Sequence, residues 1–169
     1  MPIKKGMIHN IYDGMVKVVF SDTKEAVSFL QSYLPNSVVK KVDWDTLTLK
    51  NVTYIDDKLK HTQSDLLYLA QLKESDKLIF IYILFEHQSK PKKWSRFSLL
   101  KYMCRIWDES FKEFKDQDKL KPILPLVFYQ GKTGWNYSKE FSDLVEETDL
   151  GTDFIPKLGY HPDCCVNAR

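Results

Sequence analysis

Apolar residues along this chain form uninterrupted runs that predict buried strands. Leu78–Phe85 is apolar at every position, which is typical of a strand covered on both faces and therefore central in a sheet. We predict this strand over Leu78–Gln88 and another over Asp65–Leu72, with the polar stretch Lys73–Lys77 as the turn between them. A further buried strand is predicted over Pro122–Tyr129. The middle of the chain therefore predicts a hairpin beside another strand.

Helical spacing of apolar residues predicts helices on both sides of the hairpin. Asp22, with Glu25 three residues later, is a plausible cap for a helix that Pro35 ends. A long helix is predicted over Trp94–Phe114. Its apolar residues recur at spacings of three and four on the side expected to face the core: Phe97, Leu100, Cys104, Trp107, Phe111 and Phe114. Two more helices are predicted, over Asn10–Phe20 and Ser138–Glu147.

The order of these elements indicates the fold class. Strand-like runs at Thr46–Leu49 and Val52–Ile55 precede the hairpin. Along the whole chain, the predicted order is helix, strands with a hairpin, helix and strand. This order predicts an α/β fold with a central mixed sheet flanked by helices.

Composition narrows the class of protein. The 169 residues, of which 43% are hydrophobic, suit one domain with one core. The longest apolar run is far shorter than the roughly 20 residues needed to cross a bilayer, and three cysteines without regular spacing argue against a disulfide framework. We therefore expect a soluble cytoplasmic protein without a membrane segment. The net charge of only +2 means that any attraction for nucleic acid must come from a local patch.

Three polar residues at the ends of the hairpin strands form a candidate active site: Asp65, Glu86 and Gln88. A turn centred on Ser75–Asp76 would place Asp65 directly opposite Glu86, and Gln88 on the same face as Glu86. Adjacent carboxylates repel each other, and a divalent cation such as Mg²⁺, which prefers oxygen ligands, relieves that repulsion. The alternative is that Asp65 only begins a strand and that Glu86 emerges into solvent at the sheet edge.

Several ordered motifs between Tyr12 and Trp135 carry a family resemblance. They are Phe29–Pro35, Asp43–Leu47, Tyr54–Tyr68, Leu84–Ser89, Leu99–Tyr102, Arg105–Trp107 and Pro125–Gly131. In this order they resemble the recombination-promoting nuclease (Rpn, YhgA-like) family. That family is similar to the PD-(D/E)XK superfamily, whose restriction-endonuclease-like core is a helix, three antiparallel strands, a helix and a further strand. The resemblance implies a metal-dependent bacterial DNA endonuclease linked to DNA recombination.

The resemblance also implies roles for individual residues. Asp65 takes the aspartate position and Glu86-His87-Gln88 takes the (D/E)XK position, with Gln88 orienting the attacking water or a phosphate oxygen. Asp65 and Glu86 would bind Mg²⁺, for which Mn²⁺ can substitute. Asp13 is a third candidate metal ligand, although a helix N-cap explains it equally well.

DNA would be the partner under this resemblance, and a basic cluster beside the site is the candidate surface for its phosphates. The cluster comprises Lys90, Lys92, Lys93, Arg96, Lys101 and Arg105, and Lys17 from the first helix is a further candidate. The alternatives are a solvated helix face for the cluster and a surface ion pair with Asp13 for Lys17.

We expect a nuclease-like domain over residues 1–157 and a short tail over 158–169. The tail does not resemble the continuation of the family and suggests a truncated chain. A catalytically impaired DNA- or partner-binding remnant and an RNA-acting enzyme on the same fold are the rival functions. A homodimer is compatible with the sequence.

Overall fold

The computed structural model describes residues 18–50, 65–86, 93–129, 136–138, 140–147, 149, 151, 153–157 and 165–167, without the side chains of 85, 86, 128, 129 and 165–167. The helices are α1 (Thr23–Tyr33), α2 (Asn36–Val39), α3 (Ser95–Glu113) and the 3₁₀ helix η1 (Phe141–Leu144). The strands are β1 (Val42–Lys50), β2 (Leu66–Leu72), β3 (Leu78–Glu86), β4 (Ile123–Tyr129) and β5 (Cys165–Asn167).

These strands form one mixed sheet in the order β1-β2-β3-β4-β5. β1, β2 and β3 are antiparallel neighbours, whereas β4 and β5 run parallel to β3. β3 is central, as its uninterrupted apolar run predicted, and residues 80–84 are all buried. The α/β class and the antiparallel hairpin are confirmed.

Helical segments cover both faces of the sheet. On one face, the hydroxyl of Tyr68 donates a hydrogen bond to the carbonyl oxygen of Phe20 at 2.9 Å. On the other, the ring of Tyr82 packs against that of Tyr102 from α3. Residues 18–21 are helical, and the rest of the helix predicted over Asn10–Phe20 lies outside the described residues.

Helix α1 was predicted from signals in neighbouring residues, and this prediction is confirmed. Asp22 caps the helix by accepting a hydrogen bond from the backbone N–H of Lys24 at 2.8 Å, and the helix ends before Pro35. β1 is one strand rather than the short run Thr46–Leu49. Its register shifts between Asp43 and Thr48, where the Thr46 hydroxyl accepts from the backbone of Gln71.

The predicted register of the hairpin was wrong by two residues. Leu66 lies opposite Ile83 and the N–H of Leu72 donates to the carbonyl of Lys77, so four residues form the turn instead of two. Glu74 adopts a positive φ of 62° in this turn, which moves its centre to Glu74–Ser75. Extending the register by one residue sets Asp65 opposite Leu84, not opposite Glu86. Because a shift of two residues preserves the alternation of side chains between the two faces, the strand positions that share a face are unchanged.

The bounds predicted for α3 were correct, but only part of its predicted core-facing side packs on the core. Phe97 and Phe111 are 46% and 49% exposed, and Cys104 is also exposed. The buried positions are Ser95, Arg96, Leu99, Tyr102, Met103, Ile106 and Ser110. Two apolar stripes with helical spacing run along this helix, and the one with aliphatic residues packs on the sheet. In the predicted stripe, Trp107 and Phe114 are partly buried against the core, whereas Phe97 and Phe111 remain on the surface.

The helix predicted over Ser138–Glu147 was also wrong, since only the single turn of η1 forms there. Phe141 is its one buried residue, and Val145 returns to extended backbone. One buried side chain gives too little packing to stabilise an isolated helix. None of the helices in the described ranges is long and apolar enough to cross a membrane.

A candidate active site at the end of the central hairpin

A buried carboxylate marks the end of the sheet at which β2 begins and β3 finishes. Asp65 directly precedes β2 and is 1% exposed. Within the described ranges it is the only acidic side chain that is buried. Removing a carboxylate from water is costly unless polar groups or a cation compensate it. Its position therefore identifies this end of the hairpin as the candidate site.

Tyr82 of β3 holds Asp65 in place. This tyrosine is 0% exposed, and its hydroxyl donates a hydrogen bond to Oδ2 of Asp65 at 2.8 Å. Burial raises the pKa of Tyr82 well above its usual range, and the negative charge of Asp65 raises it further. The phenol therefore stays protonated at neutral pH and remains a hydrogen-bond donor. The Tyr102 ring, 5.6 Å away between centroids, packs beside it from α3.

Glu86 ends β3 close to Asp65 in the sheet. Tyr82, Leu84 and Glu86 occupy alternate positions of the strand, and Tyr82 lies opposite Leu67, which is two residues after Asp65. Asp65 and Glu86 are therefore diagonal neighbours in the same set of alternate positions. Such neighbours lie about 7–8 Å apart in antiparallel pairs, within the reach of long side chains. The placement of both acids at one end of one hairpin thus agrees with the prediction, although their direct opposition does not.

Several predicted site residues cannot be placed. Asp13, Lys17, Gln88 and Lys92 lie outside the described residues, as does the side chain of Glu86. No group of three or more acidic, histidine or cysteine side chains that could hold a metal ion occurs within the described part of the chain.

The predicted basic residues in and just before α3 differ in their exposure to solvent. Lys93 and Lys101 are exposed, and Arg105 is half-buried. Arg96 is only 3% exposed, and its guanidinium donates a hydrogen bond to the backbone carbonyl of Glu140. A guanidinium buried in this way braces the start of α3 against the segment before η1. It does not present the open cationic surface that we predicted for a DNA contact.

Sequence reasoning missed Tyr82 and Tyr102 as parts of the site. Tyr82 lies inside the apolar run of β3 and therefore looked like core. The available signal was its hydroxyl, because a buried tyrosine needs a hydrogen-bond partner. Tyr82 also lies two residues before Leu84 and four before Glu86, so the three residues occupy alternate positions of β3.

Comparison with known proteins assigns the family. The family described as "Putative transposase, YhgA-like" matches residues 10–161, which is most of the chain. This α/β protein therefore belongs to the YhgA-like family. No solved structure matches it significantly.

Three relatives come from Escherichia coli. Recombination-promoting nuclease RpnC of strain K12 is 30% identical over 121 residues, covering 72% of this chain and 39% of RpnC. Recombination-promoting nuclease RpnD of O157:H7 is 27% identical over 140 residues, covering 78% of this chain and 52% of RpnD. The K12 protein RpnE is 28% identical over 140 residues, covering 82% of this chain and 46% of RpnE, and is named an inactive recombination-promoting nuclease-like protein. The chain thus spans about half the length of these relatives, and the family links it to nucleases and recombination.

Proposed function

We propose that this protein is a Mg²⁺-dependent DNA endonuclease that hydrolyses phosphodiester bonds with Asp65, Glu86 and Gln88. The observation that carries the proposal is the buried carboxylate of Asp65, oriented by Tyr82 at the end of the hairpin where β3 finishes with Glu86. The names of its relatives supply the class of reaction.

The order and direction of the elements support a PD-(D/E)XK-type core. A helix, three antiparallel strands, a helix and a strand parallel to β3 follow one another along the chain. In such a core the aspartate lies at the second strand and the (D/E)XK motif at the third. Asp65 precedes β2 and Glu86 ends β3, and these positions support the assignment.

The ligand chemistry fits magnesium. Carboxylate and amide oxygens are hard ligands, and Mg²⁺ is usually held by one or two carboxylates with the remaining positions left to water and phosphate. Asp65 and Glu86 would hold the ion, with Asp13 as a third candidate. When bound, the ion supplies Lewis-acid polarisation of the phosphate and lowers the pKa of the attacking water.

Two further residues of the chain would orient the reacting groups. The neutral phenol of Tyr82 keeps the carboxylate of Asp65 in one orientation, which is a typical outer-shell role around ligand carboxylates. The amide of Gln88 would orient the attacking water or a phosphate oxygen. Glutamine carries no charge, so stabilisation of the developing negative charge would depend on the cation.

Metal dependence is the direct test of the proposal. Purified protein is expected to nick or linearise supercoiled plasmid DNA with Mg²⁺ or Mn²⁺, and to stop when EDTA is added. Gel electrophoresis of the plasmid measures the result, with a single-stranded RNA of similar length as a parallel substrate. Cleavage that persists in EDTA, or cleavage of the RNA alone, would contradict the proposal.

Tyr82→Phe tests the orienting hydrogen bond. We expect metal affinity or cleavage to fall by about 10- to 100-fold, the usual cost of losing an outer-shell partner. A Mn²⁺ titration by calorimetry and a plasmid assay measure these two quantities. Tyr68→Phe is the matched control, because Tyr68 is equally buried on the neighbouring strand but donates to Phe20 on the opposite face. Equal losses in both variants would mean that Tyr82 acts only through stability.

A nucleic-acid-binding protein without cleavage is the second candidate function. It is favoured by one specific finding, that the similar protein RpnE is named inactive. Binding of DNA by gel shift, together with no cleavage under any divalent metal, would support this alternative.

A further inference from the structure

The first half of α3 and the two residues before it carry an exposed row of aromatic and basic side chains. Trp94 is 56% exposed and Phe97 is 46% exposed. Lys93 places its ammonium 5.6 Å from the centre of the Trp94 ring, and Lys101 lies at the same distance from the ring of Phe97. We call these four residues the aromatic–basic stripe. Trp94, Phe97 and Lys101 are three and four residues apart, so they follow one side of the helix.

Charge is distributed along α3 against the preference of the helix dipole. Residues 93–105 include four basic residues and no acidic one, whereas residues 106–113 include three acidic residues and one basic one. A helix dipole favours acidic residues at its start and basic residues at its end, by about 0.3–1 kcal/mol each. The helix dipole therefore does not account for the observed arrangement. Of these basic residues, Lys93 and Lys101 are exposed and create a positive surface where α3 starts, which is complementary to a polyanion.

We propose that the aromatic–basic stripe binds unpaired bases of a single-stranded DNA segment. Exposed rings beside ammonium groups match a strand in which bases alternate with phosphates, because the rings stack on bases and the lysines attract phosphates. In a duplex the base faces are covered by neighbouring bases, so a duplex would engage only the lysines. The inference rests on the proposed nuclease function and narrows its substrate to DNA with single-stranded or frayed segments.

The location of the stripe suits this role. α3 follows β3 after eight residues, and Trp94 directly precedes the helix. Tyr102 of the same helix packs on Tyr82, the residue that contacts Asp65. The helix that carries the stripe is thus the same helix that packs against the tyrosine contacting Asp65.

Binding in the absence of metal tests the inference separately from catalysis. In EDTA, fluorescence anisotropy would compare a labelled oligothymidine of about 20 nucleotides, longer than the typical sites of roughly 4–16 nucleotides, with two ligands of equal charge. One is a hairpin duplex and the other is an abasic strand with the same backbone. We expect Trp94→Ala and Phe97→Ala each to weaken oligothymidine binding about tenfold, with little change for the duplex and the abasic strand.

Two further variants act as controls. Phe111→Ala removes a ring that is 49% exposed on the same helix but lies among acidic residues, and it should leave oligothymidine binding unchanged. Lys101→Ala should weaken binding of all three ligands, since every one carries phosphates.

Three outcomes would overturn the inference. One is equal losses for oligothymidine and the abasic strand in the ring variants, and another is a loss no greater than that of Phe111→Ala. The third is a change of oligomeric state in Trp94→Ala on size-exclusion chromatography without any change in DNA binding, which would indicate a protein-binding surface. Intact binding without cleavage would instead contradict the proposed nuclease and leave the stripe as proposed.

Discussion

Asp65→Asn is expected to reduce plasmid cleavage by at least about 10³-fold, because under the proposed function several kcal/mol of metal-mediated charge stabilisation would depend on this carboxylate. Asparagine has nearly the same shape, and its amide oxygen can still accept the hydrogen bond from Tyr82. The substitution therefore removes the charge while retaining the packing. Initial rates of plasmid linearisation over a range of Mg²⁺ concentrations measure the effect.

The stability of this variant separates catalysis from folding. Replacing a buried charged group with a neutral one of the same shape removes a desolvation cost, so the melting temperature should be unchanged or higher. Asp118→Asn, at an exposed loop position, is the control and should cleave like the unmodified protein. If Asp65→Asn also cleaves at the unmodified rate, the hairpin end is not the active site.

Ile106→Ala is expected to destabilise the protein by about 2–5 kcal/mol, because the substitution leaves a cavity where α3 packs on the sheet. Ile106 is 0% exposed and belongs to the main core. Melting temperature should fall by roughly 2–4 °C for each kcal/mol in a chain of this size. Urea titration followed by circular dichroism gives the corresponding free energy of unfolding.

Phe111→Ala is the informative comparison for this variant. The apolar periodicity of the sequence placed Phe111 in the core, whereas it is 49% exposed in the structure. Its truncation should cost much less than that of Ile106, even though phenylalanine is the larger side chain. A greater loss for Phe111→Ala would mean that the aromatic side of α3, rather than the aliphatic side, packs on the sheet.

The elements of the site were predictable because their signals are local. The uninterrupted apolar run of β3, the Asp22 cap and the stop at Pro35 each depend on a few neighbouring residues, and each agrees with the structure. The family resemblance then selected Asp65 and Glu86 from 23 acidic residues. The hairpin pairing had pointed to the same two residues, and the burial of Asp65 became visible only in the structure.

The details of the site depended on longer-range geometry. Glu74 has a positive φ in a turn of four residues. With this turn, the residue opposite Asp65 is Leu84 and not Glu86. A turn of two residues and one of four are both compatible with the polar stretch Lys73–Lys77, so the sequence did not distinguish them. Likewise, the formal charge of Arg96 suggested a surface residue, whereas its contact with Glu140 across 44 residues of sequence buries it.

The sequence by itself determined the hairpin strands, α1, the bounds of α3 and the family of the chain, because these follow from residue patterns along the chain. Only the tertiary structure decided which side of α3 is buried, which strand positions meet, and that the hydroxyl of Tyr82 contacts Asp65. The physical reason is that burial and pairing are properties of two surfaces together. Each surface has more than one periodic side or register to offer, and the partner selects among them.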